Sequence, residues 1–261
     1  MSELTNSGVT VTTPVATRVA DQNAHPRSPA YARVLAGVPL LVAVPPPSDA
    51  PLPVVLWCHG FRADALAHAA ELEQVAAMGF LAIGIDAVGH GSRVDPELGA
   101  RLAASPDGAL PVMLDLVEQT VREFPMLIDA IAAAYIIDRS RVSIVGISMG
   151  AFLTYRAIVA GTPLRAGVAL LGSPEWPGHA SPHRAVHAFR NLALLSITAE
   201  HDVSVPPDAV RRLHVALAQS SSTVDQHARH HYVLRGAGHL TSAHEWQTAM
   251  RVTMQWLQRY G

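Results

Sequence analysis

From Val54 onward, short apolar runs alternate with longer segments whose apolar residues recur at helical spacing. The runs Val54–Cys58, Leu81–Ile85, Arg141–Ile147, Ala166–Leu171, Leu192–Thr198 and His231–Leu234 read as strands. The segments Ala67–Met78, Val112–Ile137, Met149–Ala160, Pro207–Gln219 and Ser242–Tyr260 read as helices. A strand that is apolar at successive positions is covered on both faces, so the pattern predicts a mostly parallel sheet between two helical layers. Ahead of it, Val9–Ala20 and Arg33–Val44 are rich in Val, Thr and Leu and broken by proline, which predicts antiparallel strands ending at Pro45, Pro46 and Pro47. The expected whole is α/β: a three-layer sandwich of about eight strands, one domain over residues 1–261, with antiparallel strands in 1–50. Reactive groups of such a sheet gather at the carboxyl ends of its strands.

All 19 Lys+Arg residues are arginine. That removes a Schiff-base lysine, a Ser-Lys dyad and a phosphate-loop lysine, and leaves histidine, present 14 times, as the abundant base. A net charge of −2 supplies no broad basic field, so neither nucleic acid nor a membrane is expected as partner. The single cysteine, Cys58, excludes an internal disulfide and a cysteine-rich metal site, and at a strand end it reads as a small buried hydrophobe. The first residues lack the basic and apolar regions of a signal peptide, and no run of roughly 18 apolar residues occurs, so a cytoplasmic location is expected.

Gly146-Ile147-Ser148-Met149-Gly150 lies between the apolar strand RVSIV and the helical stretch AFLTYRAIVA. This is the strand–turn–helix context of a nucleophile elbow, in which the serine takes a strained conformation and the flanking glycines allow close backbone approach. A serine hydroxyl needs a base, and His239, in the glycine-flanked loop after the last strand, is the best placed; His244 falls at the start of the final helix. The orienting carboxylate is assigned to Asp202, after strand LLSIT, ahead of Glu200 at the strand end and Asp208 in a first helical turn. The chain order Ser148, Asp202, His239 differs from the orders found on the chymotrypsin and subtilisin scaffolds. Backbone donors for an oxyanion are expected at Met149, after the nucleophile, and at Phe61, in the loop after an early strand.

HGF (59–61), DAVGHGSR (86–93), GISMG (146–150), AEHDVSVP (199–206) and GAGH (236–239), in that order, resemble the α/β-hydrolase superfamily. Within it the chain is similar to small bacterial carboxylesterases allied to dienelactone hydrolase and to the prolyl-oligopeptidase catalytic domain. The resemblance spans about residue 50 to the C-terminus. It implies an esterase without cofactor, with Ser148, Asp202 and His239 at the triad positions and Phe61 and Met149 at the oxyanion hole. The lid is minimal, only the connection 172–191, whereas Ser92–Pro111 is long enough to cover the site instead.

Trp176, His59 and His90 are placed on the substrate side, with His59 also shaping the oxyanion loop and Asp86 holding the turn that carries His90. His179, His183 and His187 would share one face if helical, but Gly178 and Pro182 interrupt that helix, so no metal site is assigned. His227, His230 and His231 read as a solvated strand entrance, and Ser220–Ser222 as a loop. The expected activity is hydrolysis of a small carboxylic ester through an acyl-enzyme. Acyl transfer, thioester or lactone cleavage by the same residues, and a non-catalytic binding protein on the same fold, are the alternatives; a homodimer is left open.

Overall fold

A computed structural model describes residues 29–178, 181–220 and 228–261. The strand expected at Val9–Ala20 lies outside them, as do His179, His227 and most of the Ser220–Ser222 loop. Among the described residues eight strands form one sheet: β1 (Tyr31–Leu35), β2 (Val38–Ala43), β3 (Leu52–Cys58), β4 (Leu81–Ile85), β5 (Ile137–Ile147), β6 (Ala166–Leu170), β7 (Ala193–Ala199) and β8 (Arg229–Leu234). Their order is β1-β2-β4-β3-β5-β6-β7-β8. β1 and β2 form a hairpin whose two-residue turn, Ala36-Gly37, has positive φ at both positions, the backbone that suits a twisted hairpin. β2 runs antiparallel to β4, and the remaining neighbours pair in parallel.

The helices are α1 (Ala69–Ala77), α2 (Leu98–Ala104), α3 (Ala109–Ala134), α4 (Met149–Val159), α5 (Asp208–Gln219) and α6 (Ala243–Tyr260). Alternation along β3 explains the layers. Val55 and Trp57 enter the core that includes Leu72 of α1 and Leu257 of α6, whereas Val54, Leu56 and Cys58 enter the core with Phe124 of α3 and Leu153 of α4. A third cluster joins Tyr155 of α4 to Val210 and Leu213 of α5. Each fully buried aliphatic side chain contributes about 1.5–3 kcal/mol, so a strand buried on both faces is stabilised from both sides.

Most element boundaries shift by a few residues, and three differences change the picture. β5 begins at Ile137 rather than Arg141, because Ile137 pairs with Leu52 ahead of the apolar run. α2 arises inside the segment expected to be an irregular connection; of its residues only Leu98 is buried, so it carries no apolar stripe. The connection 172–191 contains two separate 3-10 turns, Pro182–Arg184 and Val186–Phe189, so His183 and His187 do not share a helical face.

The chain leaves β3 toward β4 on one side and later places β5 on the other. The loops after β3 and β5 therefore diverge around a crevice at the carboxyl edge, the place where open α/β sheets bind ligands.

Candidate active site

β5 ends at Ile147 and α4 starts at Met149, which leaves Ser148 to turn the chain. Its φ of 52° and ψ of −113° lie in a region that strains an L residue. The turn is held by a hydrogen bond from the Ser148 amide to the Leu170 carbonyl, 2.8 Å, and by one from the Ala151 amide to the Ser148 carbonyl, 2.8 Å. A Cβ on Gly146 would overlap the Gly150 carbonyl, and one on Gly150 would overlap the Cys58 carbonyl, so strand, turn and helix meet backbone to backbone. Gly172, after β6, belongs to no motif, yet a Cβ there would overlap that of Ala151.

Ser148 Oγ lies 3.1 Å from His239 Nε2, and His239 Nδ1 lies 2.7 Å from Asp202 Oδ2. Asp202 Oδ1 accepts the Ser204 and Val205 amides at 2.9 and 2.8 Å. A carboxylate only accepts, so the proton of the neutral imidazole sits on Nδ1 and the Nε2 lone pair faces the serine hydroxyl. The Asp202 side chain is wholly buried, while that of His239 keeps 22% of its surface exposed. The two loops that carry these residues are tied together. The Glu200 amide donates to the Leu234 carbonyl and the His201 amide to the Ala237 carbonyl. The Glu200 carboxylate accepts the Gly236 amide at 2.9 Å and Arg235 at 2.7 Å, and these two hold it below the usual carboxylate range. Glu200, a competitor for the orienting role by sequence, thus fastens the His239 loop. Asp208 pairs with Arg211, and His244 is exposed in the first turn of α6.

The loop after β3 lies against the elbow: a Cβ added to Gly60 would stand 3.7 Å from Ser148 Cβ. Phe61 follows Gly60 directly. Met149 opens α4, where the first amides of a helix have no intrahelical acceptor. His59 is fully buried; its Nε2 accepts the Ala87 amide at 3.1 Å, so its Nδ1 carries the proton and donates to the Gly60 carbonyl at 2.8 Å. Burial lowers its pKa, which keeps that neutral arrangement. Asp86 accepts the Ala65 amide at 2.9 Å and the Ser92 amide at 2.8 Å, joining the loops after β3 and β4. The His90 ring packs 5.3 Å from the rings of both His59 and Phe61, and its Nδ1 donates to the Val88 carbonyl. Trp176 stacks on Phe152 at 5.5 Å.

A cleft of about 640 Å³ opens on Ser148, walled by Leu110, Met113, Phe152, Val205 and Ala209, with Glu175 and Arg212. Leu110 lies in the first turn of α3, and of the 92–111 connection only Ala109 and Leu110, both in that helix, line the cleft. His59, His90 and Trp176 do not line this cleft; His59 and His90 pack together in the loops after β3 and β4, and Trp176 packs against the wall residue Phe152. Of the lining residues, Ser148 and Asp208 carry a sequence signal of their own and Ser204, Val205 and Pro206 fall within AEHDVSVP, whereas Met113, Phe152, Ala209 and Arg212 carry none. Cys58 is buried and burial pushes its thiol up to about 12, so it is no thiolate nucleophile. Among the described residues no three His, Cys, Asp or Glu side chains converge as a metal-binding group, and no helix is long and apolar enough to cross a membrane.

A mostly parallel eight-stranded sheet with Ser148, Asp202 and His239 meeting in that order at its carboxyl edge defines an α/β-hydrolase fold. The chain belongs to the dienelactone hydrolase family, whose model matches residues 40–261. It is 33% identical over 143 residues to "Esterase YjfP" of Escherichia coli and 31% identical over 127 residues to "Putative esterase YitV" of Bacillus subtilis. These alignments cover 54% and 48% of this chain and 54% and 46% of the relatives, so the chain spans about half the length of the curated relatives it matches. The fold superposes on that of TT1662 from Thermus thermophilus with a TM-score of 0.69 and 22% identity, covering 87% of this chain and 97% of that one. It also superposes on a puromycin-hydrolyzing peptidase of Mycobacterium tuberculosis, TM-score 0.67 and 19% identity, covering 89% of this chain and 40% of that one.

Proposed function

We propose that the chain is a serine hydrolase that cleaves small carboxylic esters through an acyl-enzyme. The observation that carries this reading is the unbroken hydrogen-bond line from Ser148 Oγ through His239 to buried Asp202, begun at a strained turn. Membership of the dienelactone hydrolase family and likeness to proteins named as esterases support it.

Ser148 Oγ attacks the ester carbonyl carbon while His239 Nε2 takes the hydroxyl proton, and Asp202 stabilises the imidazolium that forms. The carbonyl oxygen gathers negative charge as its π bond breaks, and the Met149 and Phe61 amides donate to it. Collapse expels the alkoxide, which receives the proton from His239, and leaves an acyl group on Ser148. Water then repeats the sequence: His239 takes its proton, hydroxide adds to the acyl carbon, and Ser148 departs reprotonated. His59, His90 and Asp86 act in this scheme by fixing the loop that carries Phe61, and Trp176 by backing Phe152. The Ser148→Ala variant should fold as wild type and lose turnover of nitrophenyl esters, while retained turnover would refute the assignment. A properly folded wild-type protein that turns over no ester would favour the binding-protein alternative.

A further inference from the structure

We infer that the Ser148 cleft selects uncharged acyl groups, because every charged side chain in its wall is already paired with another protein charge. The inference rests on Ser148 being the nucleophile. Three charged residues line the cleft: Glu175, Asp208 and Arg212. Arg212 Nε and Nη2 donate to the two carboxylate oxygens of Glu175 at 2.9 and 2.6 Å, a two-pronged pair between the connection after β6 and helix α5. Asp208 accepts from Arg211 at 2.7 Å.

The Glu175 side of the pair is fixed by its own turn. The Ser173 hydroxyl accepts the Glu175 amide at 3.0 Å and donates to the Glu175 carbonyl at 2.9 Å, and the next residue, Trp176, stacks on the wall residue Phe152. Apart from Ser148, Ser173 and Ser204, the rest of the wall, which includes Leu110, Met113, Phe152, Val205, Pro206 and Ala209, is apolar. An acyl chain bearing a carboxylate would leave water for the apolar part of this wall, and the one cation there, Arg212, is solvent-facing, with 62% of its side chain exposed, and has its charge offset by Glu175. One bearing an ammonium finds the Glu175 charge offset by Arg212 in the same way. An uncharged chain gives up no ionic hydration. Specificity of this kind comes from what the site withholds from the wrong substrate as much as from what it offers the right one.

The test compares kcat/KM for nitrophenyl hexanoate with its ω-carboxylate analogue, the adipate monoester, and its ω-ammonium analogue, the aminohexanoate ester. Uncatalysed hydrolysis is subtracted from each. Wild type should favour the uncharged ester by about tenfold or more over both. Glu175→Gln frees Arg212 and should raise the carboxylate-to-neutral ratio by about tenfold; Arg212→Gln frees Glu175 and should raise the ammonium-to-neutral ratio similarly. The readout is a ratio, so a uniform loss of activity cancels. A wild type that treats the three esters alike, or ratios that neither variant moves, would overturn the inference. Labelling of Ser148 by a fluorophosphonate in the same samples separates the two layers: labelled protein with indifferent ratios refutes charge selection alone. Unlabelled, inactive wild type refutes the nucleophile assignment and this inference with it.

Discussion

Two histidine settings lie close to β8, one in the loop that follows it and one between it and α5, and they differ in one partner. At the carboxyl edge His239 has a carboxylate on Nδ1 and a serine hydroxyl on Nε2. Deeper, between β7, β8 and α5, His214 and His231 stack at 5.6 Å, with His214 Nε2 on Ser196 Oγ, 2.9 Å, and His231 Nε2 on Thr198 Oγ1, 2.8 Å. Tyr155 donates to the same Ser196 hydroxyl. No carboxylate reaches either ring in these contacts. Burial, reinforced by neighbouring His231, His230 and Arg229, drives His214 down to about 3; burial, with Arg211 and His230, drives His231 to about 4. Both groups contain a histidine next to a serine or threonine hydroxyl. The half-buried stacked pair is held neutral and lines no part of the Ser148 cleft, whereas His239 combines an orienting carboxylate with a serine hydroxyl that opens on that cleft. A histidine becomes a useful base through the charge placed behind it and the opening in front of it.

Removing the proposed nucleophile should break the edge site most severely. Ser148→Ala should lower kcat on the order of 10⁵-fold or more, and Asp202→Asn, which no longer enforces the Nδ1 proton, on the order of 10⁴-fold, both read by steady-state ester hydrolysis. Equivalent replacement of Ser196 by Ala should leave ester chemistry intact, because that hydroxyl is fully buried away from the cleft.

Gly146→Ala should test the backbone contact beneath the elbow. The new Cβ meets main-chain carbonyl atoms that have nowhere to move, so a destabilisation of about 3 kcal/mol or more is expected in denaturant unfolding.

Acid should act through the deep pair. Near neutral pH both histidines are uncharged in folded and unfolded chains alike. Below about pH 6.5 the unfolded chain binds protons that the folded chain refuses until about 4 for His231 and about 3 for His214. Stability therefore falls as pH drops through that window, with a slope of up to about 1.4 kcal/mol per pH unit for each group. His214→Gln, which retains a partner for Ser196, should flatten the acid limb of a stability-versus-pH curve. An unchanged slope would show that the pair does not govern it.

The smallest effect is expected at the loop support. His59→Ala leaves the Ala87 amide and the Gly60 carbonyl without their shared partner. It should lower kcat by about ten- to a hundredfold with KM little changed if the Phe61 amide is the oxyanion donor proposed above, since that donor would be displaced.

The central strands and the edge site were legible in sequence for one physical reason. Val54–Cys58 and Ala166–Leu171 are apolar because both faces are covered, and GISMG is spelled out by backbone contacts that tolerate no Cβ. The deep histidine pair was not legible. His214 reads as one more polar residue of an amphipathic helix and His231 as part of a solvated strand entrance, yet the His231 ring turns inward onto Thr198 and His214. Helix α2 and the Glu175–Arg212 pair were equally hidden, since the first buries a single side chain and the second joins residues 37 positions apart.

The most direct test of the central claim is intact-protein mass spectrometry after reaction with a fluorophosphonate. The account predicts one adduct, located at Ser148, absent from Ser148→Ala, and formed on the order of 10³-fold more slowly or not at all in His239→Ala. An adduct at another residue, or equal labelling rates with and without His239, would contradict it.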